Sequence, residues 1–237
     1  MLRRAFTISF AMVLAVFTSL AFAEPKEEKL LPDALISSVT EGLLSAVEKE
    51  RENFGENPEP FYQEVESLVL PLMDMRSFAR GVMGQYGSSK AYRALKTKEE
   101  KDAFKARVVR FADVFKVSMV RTYSKGLMTF TGQDISVVPF TEKELAEITA
   151  SGRAEVRQLV ARENDEPYEL KYSFARNKRG DWLARNVLVD GINLGRVYQS
   201  QFAQAVIDND GDVDAAIDNW SATLATDEAE QAESASL

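Results

Sequence analysis

The sequence predicts an α+β domain, on three observations. Apolar residues recur at helical spacing from Asp33 to about Leu127. Between Ile135 and Val189 the period drops from 3.6 to 2, and from Leu194 it returns to helical spacing. Helices, then consecutive antiparallel strands, then helices is the α+β order. A sheet with one apolar face and about five helices to cover it implies a curved antiparallel sheet wrapped by helices.

The first helix carries the stripe Leu35, Ile36, Val39, Leu43, Leu44 and Val47, and ends in the loop Asn53 to Pro58. A second helix runs from about Glu59 to Val69, where Pro71 breaks it. The third, Asp74 to Met83, is closed by Gly84. After the turn Gly87-Ser88-Ser89 comes a helical turn around Ala91 to Leu95. Thr97-Lys98-Glu99-Glu100 is a capping box and opens a long helix with Phe104, Val108, Phe111, Phe115, Met119, Tyr123 and Leu127 on one stripe. Strands are predicted at Ile135 to Val138, Arg153 to Arg162, Tyr168 to Ala175 and Trp182 to Val189. In the third strand Tyr168, Leu170, Tyr172 and Phe174 share a face, and Asn177 to Asp181 is the hairpin turn that follows. Leu194 to Ile207 returns to helix, Gly211 stops it, and Asp212 caps a last helix through Trp220 to Leu224.

The two ends of the chain read differently. Arg3 and Arg4, an uncharged apolar run from Ala5 to Leu20, and Ala21-Phe22-Ala23 have the layout of a secretory signal peptide over residues 1–23. The run is short for a bilayer span, which needs roughly 20 apolar residues. No cysteine is present to carry a lipid anchor. The expected product is an exported soluble domain over residues 24–225, followed by an acidic, disordered tail at 226–237.

Composition excludes several functions. With no His and no Cys, the Ser-His-Asp and Cys-His mechanisms are absent, as are the usual zinc sites. The net charge of −8 becomes two units more negative once Arg3 and Arg4 leave. Such a surface repels nucleic acid and anionic bilayers at long range, so the sequence predicts no nucleic-acid partner and only transient membrane contact. The cluster Asp208 to Asp214 is not an EF-hand: placing Gly211 sixth puts Val206 and Ile217 where carboxylates are required. Asp74, Asp190 and Glu169 lie beside apolar segments and are the candidate carboxylates for acid–base chemistry, with surface solvation as their alternative role. The remaining feature is an excess of aromatic and long aliphatic side chains on the sheet's inner face, and periodicity does not distinguish a filled core from a lined cavity.

Specific strings then carry a resemblance. Trp182 to Leu194, followed by Tyr198-Gln199-Ser200-Gln201-Phe202, resembles the C-terminal signature of the MlaC family of periplasmic phospholipid-binding proteins. Asp74 with Phe78 to Gly84 is similar to the family's Asp-Phe helix, and Phe111, Phe115, Met119, Thr122-Tyr123 and Leu127 to its long helix. The resemblance covers about residues 33–224. Asn186 stands where an Asp is common and Gln199 where an Arg is common, so a family ion pair there would be replaced by two neutral amides. The resemblance implies an NTF2-like fold with an apolar lipid cavity. It implies a phospholipid carrier of the Gram-negative periplasm, monomeric and without cofactor, catalytic residues or metal. Its expected partners are phospholipid, an outer-membrane lipoprotein–porin complex and an inner-membrane ABC transporter with an MCE-domain subunit.

The expected cavity lining takes Phe78, Val82, Phe115, Met119 and Tyr123 from the earlier helices, and Leu194, Tyr198 and Phe202 from the last long one. The strands give Leu170, Tyr172, Phe174, Trp182, Val187 and Val189. Basic clusters at Lys96 to Arg107 and at Arg176 to Arg179 are expected to dock partners, one of them bordering the pocket mouth. Two alternatives stay open: a carrier for lipoproteins or other lipids, and an NTF2-like enzyme using a pocket carboxylate.

Overall fold

The longest element organises the rest. In the computed structural model, which describes residues 29–130, 134–162 and 165–220, helix α5 runs Lys98–Met128. At about 1.5 Å per residue it is about 46 Å long. The Thr97–Glu100 capping box is formed in both directions, and Phe104, Val108, Phe111 and Phe115 are buried along its stripe. The expected signal peptide, the acidic tail and the final residues of the last helix lie outside the described residues.

Before α5 come α1 (Pro32–Glu50), α2 (Glu59–Val69), α3 (Met75–Val82) and α4 (Ser89–Ala94). Pro71 ends α2 in a single 3₁₀ turn, Leu70–Leu72. Asp74 caps α3 by accepting from the Ser77 N–H at 3.0 Å and from the Ser77 hydroxyl at 2.6 Å. Gly84, at φ +55, stops α3, because only a left-handed residue turns the chain there. The expected turn at Ala91 to Leu95 begins two residues earlier, because the Ser88 side chain caps the Ala91 N–H.

After α5 the chain forms β1 (Ile135–Val137), α6 (Glu142–Ser151), β2 (Arg153–Arg162), β3 (Asp165–Arg176), β4 (Trp182–Val189), β5 (Ile192–Asn193), α7 (Leu194–Asp208) and α8 (Val213–Asp218). The described residues thus contain eight α-helices, one more than the seven helical segments expected. Helix α6 was not expected, although its signals are in the sequence: Thr141 and Glu144 form a second capping box, and Gly152 ends the helix at φ 63. Strand β3 starts before the expected Tyr168, pairing Asp165 with Arg162. The aspartate cluster is a helix junction as expected: Gly211 is left-handed and Asp212 accepts from the Asp214 and Ala215 N–H groups.

The five strands form one antiparallel sheet in sequence order. Its register sets Val156 opposite Tyr172 and Tyr172 opposite Val187, and likewise Leu170 opposite Val189. Register shifts at Val160/Arg162 and Ser173/Phe174 bend the strands, which curves the sheet. Three separate buried clusters result. One joins α3, α5, α7 and α8 around Phe111, Phe115, Phe202 and Trp220. A second joins the sheet to Ile36 of α1 and Ile148 of α6. The third packs α1 on α2 through Ala46, Val47, Phe61 and Val65, against the far end of α5.

Candidate functional site

The inner face of the sheet is closed at one end and open at the other. Val156, Phe174 and Trp182 are buried under α1 and α6. Further along the same face, Leu170, Val187 and Val189 are only half-buried, and Tyr168 and Ile192 at its outer end are 45% and 59% exposed. Leu170, Val187 and Val189 belong to none of the three buried clusters. A domain usually has one contiguous core, so these apolar side chains mark where the three clusters fail to merge.

One polar relay crosses this face. Gln158, buried on β2, donates to the Thr40 hydroxyl of α1 at 2.7 Å and accepts from the Tyr172 hydroxyl at 2.7 Å. Thr40 in turn donates to the Ile36 carbonyl at 2.7 Å. Burial pushes the Tyr172 phenol well above its ordinary value, so it remains a donor. The relay ties α1 to β2 and β3 beside the half-covered stretch. Sequence reasoning passed over Thr40 and Gln158; the signal was a polar residue at an inward position of an otherwise apolar strand face.

The expected lining residues are not brought round one cavity. Phe78, Val82, Phe115, Met119, Leu194, Tyr198 and Phe202 join the helical cluster. There Phe115 stacks on Phe78 at 5.6 Å and meets Tyr198 edge-on at 5.2 Å, and Phe111 and Phe202 are 4.6 Å apart. Phe115 and Phe202 are enclosed by other rings. Tyr172, Phe174 and Trp182 pack in the sheet cluster, and Leu170, Val187 and Val189 stand on the half-covered face. Tyr123 reaches α7 through a hydroxyl–hydroxyl hydrogen bond with Tyr198.

A pocket of about 280 Å³ lies elsewhere, between α3, β4 and the start of α7. Phe78, Val82 and Ala184 give it apolar wall, and of the expected lining residues only Phe78 and Val82 reach it. Its polar wall holds Asp74, Arg185, Asn186, Arg196 and Gln199. Both positions that depart from the family pattern, Asn186 and Gln199, are therefore in one site. Gln199 donates to the Gly81 carbonyl at 3.0 Å. Gly195 lets the backbone of α7 approach: a Cβ there would be 3.2 Å from Asn186 Oδ1. Arg185 reaches Asp74 at 3.5 Å. Burial raises the Asp74 carboxyl, but the Ser77 hydrogen bonds and Arg185 together outweigh it and hold the group below its ordinary 3.8.

The basic clusters expected to dock partners lie away from this pocket. Neither lines this pocket, whose cations are Arg185 and Arg196. Lys98 and Lys105 pair with Asp102, Arg107 is held by both oxygens of Asp214, and Arg176 lies 4.5 Å over the Trp182 ring. Of the other two candidate carboxylates, Glu169 pairs with Lys171 at 3.1 Å, and Asp190 accepts from the Glu169 N–H at 2.8 Å and from Arg162. Among the described residues no group of three or more acidic side chains could hold a metal ion, and no helix is long and apolar enough to cross a membrane.

Comparison with known proteins adds three findings. The family model described as MlaC protein matches residues 37–222. The toluene tolerance protein ttg2D of Pseudomonas putida is 30% identical over 194 residues, 82% of this chain and 81% of that protein. Among solved structures, the phospholipid-binding protein from Ralstonia solanacearum, determined in complex with a phospholipid, superposes with a TM-score of 0.61 at 22% identity, over 81% of this chain and 98% of that one. That likeness agrees with the expected fold: helices around an open antiparallel sheet.

Proposed function

We propose, since this chain belongs to the MlaC protein family, that it binds diacyl phospholipid and carries it across the periplasm between outer-membrane and inner-membrane complexes. The observation that carries the reading is the half-covered sheet face. Leu170, Val187 and Val189 present apolar surface that no packed cluster uses. Acyl chains entering between the sheet and the helices would complete the core there.

Energetics favour such an arrangement. Exposing acyl chains to water costs about 0.8 kcal/mol per CH₂, or roughly 25 kcal/mol for two chains of about 16 carbons, an upper estimate. Free crossing of an aqueous compartment is negligible at that cost, so a carrier must offer an equally apolar environment. The pocket of about 280 Å³ is not that environment. Pockets that enclose drug-sized ligands run from roughly 300 to 1,000 Å³, and a diacyl lipid is larger than such ligands. The proposed place for the chains is therefore the half-covered sheet face, along Leu170, Val187 and Val189 and outside the helical cluster.

The partners follow from the same reading: a lipoprotein–porin complex in the outer membrane, and an ABC transporter with an MCE-domain subunit in the inner one. The Asp74 carboxyl is held below its ordinary value, so it is not the raised-pKa pocket carboxylate that an enzymatic reading calls for. Mass spectrometry of the protein purified from the periplasm tests the reading. Co-purifying diacyl phospholipid is expected. An acylated peptide, or protein without lipid, would contradict it.

A further inference from the structure

The pocket between α3, β4 and α7 is separate from the half-covered sheet face. It is too small for acyl chains, and its wall is a set of hydrogen-bond donors around a net positive charge. Arg185 and Arg196 share its lining with a single carboxylate, Asp74. Arg185 is only loosely held, at 3.5 Å from that carboxylate, and Arg196 makes no ion pair among the described residues. The amides of Asn186 and Gln199 line the same wall, one Gln199 N–H being given to the Gly81 carbonyl, and the absence of a Cβ at Gly195 lets α7 pass close to the Asn186 amide.

Two arginines and two neutral amides lining a space of this size match a compact, multiply accepting oxyanion. From these residues we infer that the α3–β4–α7 pocket binds a phosphate group. Arg185 and Arg196 supply the charge-assisted hydrogen bonds, and Asn186 and Gln199 supply the neutral ones. Amides serve this role better than a second ion pair would. An Asp at 186 would repel the anion, whereas Asn186 leaves the two arginines available to it. Asp74 acts as the competitor: it draws on Arg185 and opposes the incoming charge. This inference goes beyond the acyl-chain reading and does not depend on it. The phosphate could belong to a lipid head group or be free, because the chemistry is the same.

The test uses delipidated full-length mature protein titrated with inorganic phosphate, followed by amide NMR shifts at Gly195 and at the Asn186 side chain. Saturable shifts are expected at both. Arg196→Gln and Arg185→Gln should each weaken binding about tenfold or more, with unfolding temperatures close to the parent's. Asp74→Asn should tighten it severalfold, since Asn still caps α3 but removes the competing charge. Phosphate affinity unchanged by both arginine variants, or weakened by Asp74→Asn, would overturn the inference. Dihexanoyl phosphatidylglycerol below its micellar concentration separates the sources. Competition with phosphate assigns the pocket to a lipid head group, and its absence assigns it to free phosphate. Because the readout is phosphate on lipid-free protein, loss of this site and loss of the carrier reading would be seen independently.

Discussion

The helical cluster and the inner face of the sheet are built from the same kinds of side chain and finished differently. Around α5, the rings of Phe111, Phe115, Phe202 and Trp220 are fully enclosed, each within 6.0 Å of another ring. On the sheet, the row that begins with buried Val156 and Phe174 ends with half-buried Leu170, Val187 and Val189 and then exposed Tyr168 and Ile192. Hydrophobicity is not what distinguishes the two regions; closure is. Enclosed on all sides by one another, the rings of the helical cluster contribute burial that favours the folded state. Open apolar surface on the sheet has a use only if something else covers it.

The largest effect should come from the closed region. Phe115→Ala leaves a hole among rings with no room to collapse and should cost about 3–5 kcal/mol of unfolding free energy. The fraction of lipid bound per folded molecule should stay near the parent's. Chemical denaturation and lipid quantification on the same sample would check both halves.

The reverse pattern is expected on the open face. Leu170→Asp places a charge where acyl chains are proposed to lie, at a cost of at least about 2 kcal/mol in the loaded state. Bound phospholipid should fall more than tenfold while the protein remains folded by circular dichroism. Full occupancy in this variant would erase the distinction between the regions.

A smaller effect sharpens the boundary between them. Tyr172→Phe removes the donor to Gln158 Oε1 and should cost about 1–2 kcal/mol, because a buried acceptor loses its partner. The smallest effect concerns acid. Asp74 has a folded-state pKa below its ordinary 3.8. Its stabilisation is therefore fully present above that value and is lost as pH falls through the lower folded value. The Asp74 side chain is about one-third exposed, so the contribution should be no more than about 1 kcal/mol. Asp74→Asn should show a correspondingly shallower loss of stability between pH 4 and pH 2 in thermal melts.

Much of the fold was legible because its signals are local. The Thr97 capping box, Pro71, Gly84 and the alternation from Tyr168 to Phe174 fixed element types with little ambiguity. Helix α6 escaped because only Leu145 and Ile148 mark its inner face, too few to raise a helical period over the strands on either side. Its capping box and Gly152 were the better evidence. Strand β5 is two residues long and exists only as the return of the Asp190–Gly191 turn.

The site was less legible, for a physical reason. Periodicity assigns Phe202 and Leu170 alike to inward faces, but burial depends on which helices arrive from elsewhere in the chain. Tertiary packing sealed one and left the other half open. The α3–β4–α7 pocket brings α3 against β4 and α7, which follow it by about a hundred residues or more, and nothing local to Arg185 or Arg196 announces it.

The central claim is that cargo occupies the open face of the sheet and leaves the helical cluster untouched. Methyl-labelled protein loaded with phospholipid tests it most directly, through nuclear Overhauser contacts between acyl-chain protons and side-chain methyls. Contacts are expected to Leu170, Val187 and Val189, with none to Val206 or Ile217 in the helical cluster. Acyl contacts confined to Val206 and Ile217, or absent from all three sheet residues, would contradict it.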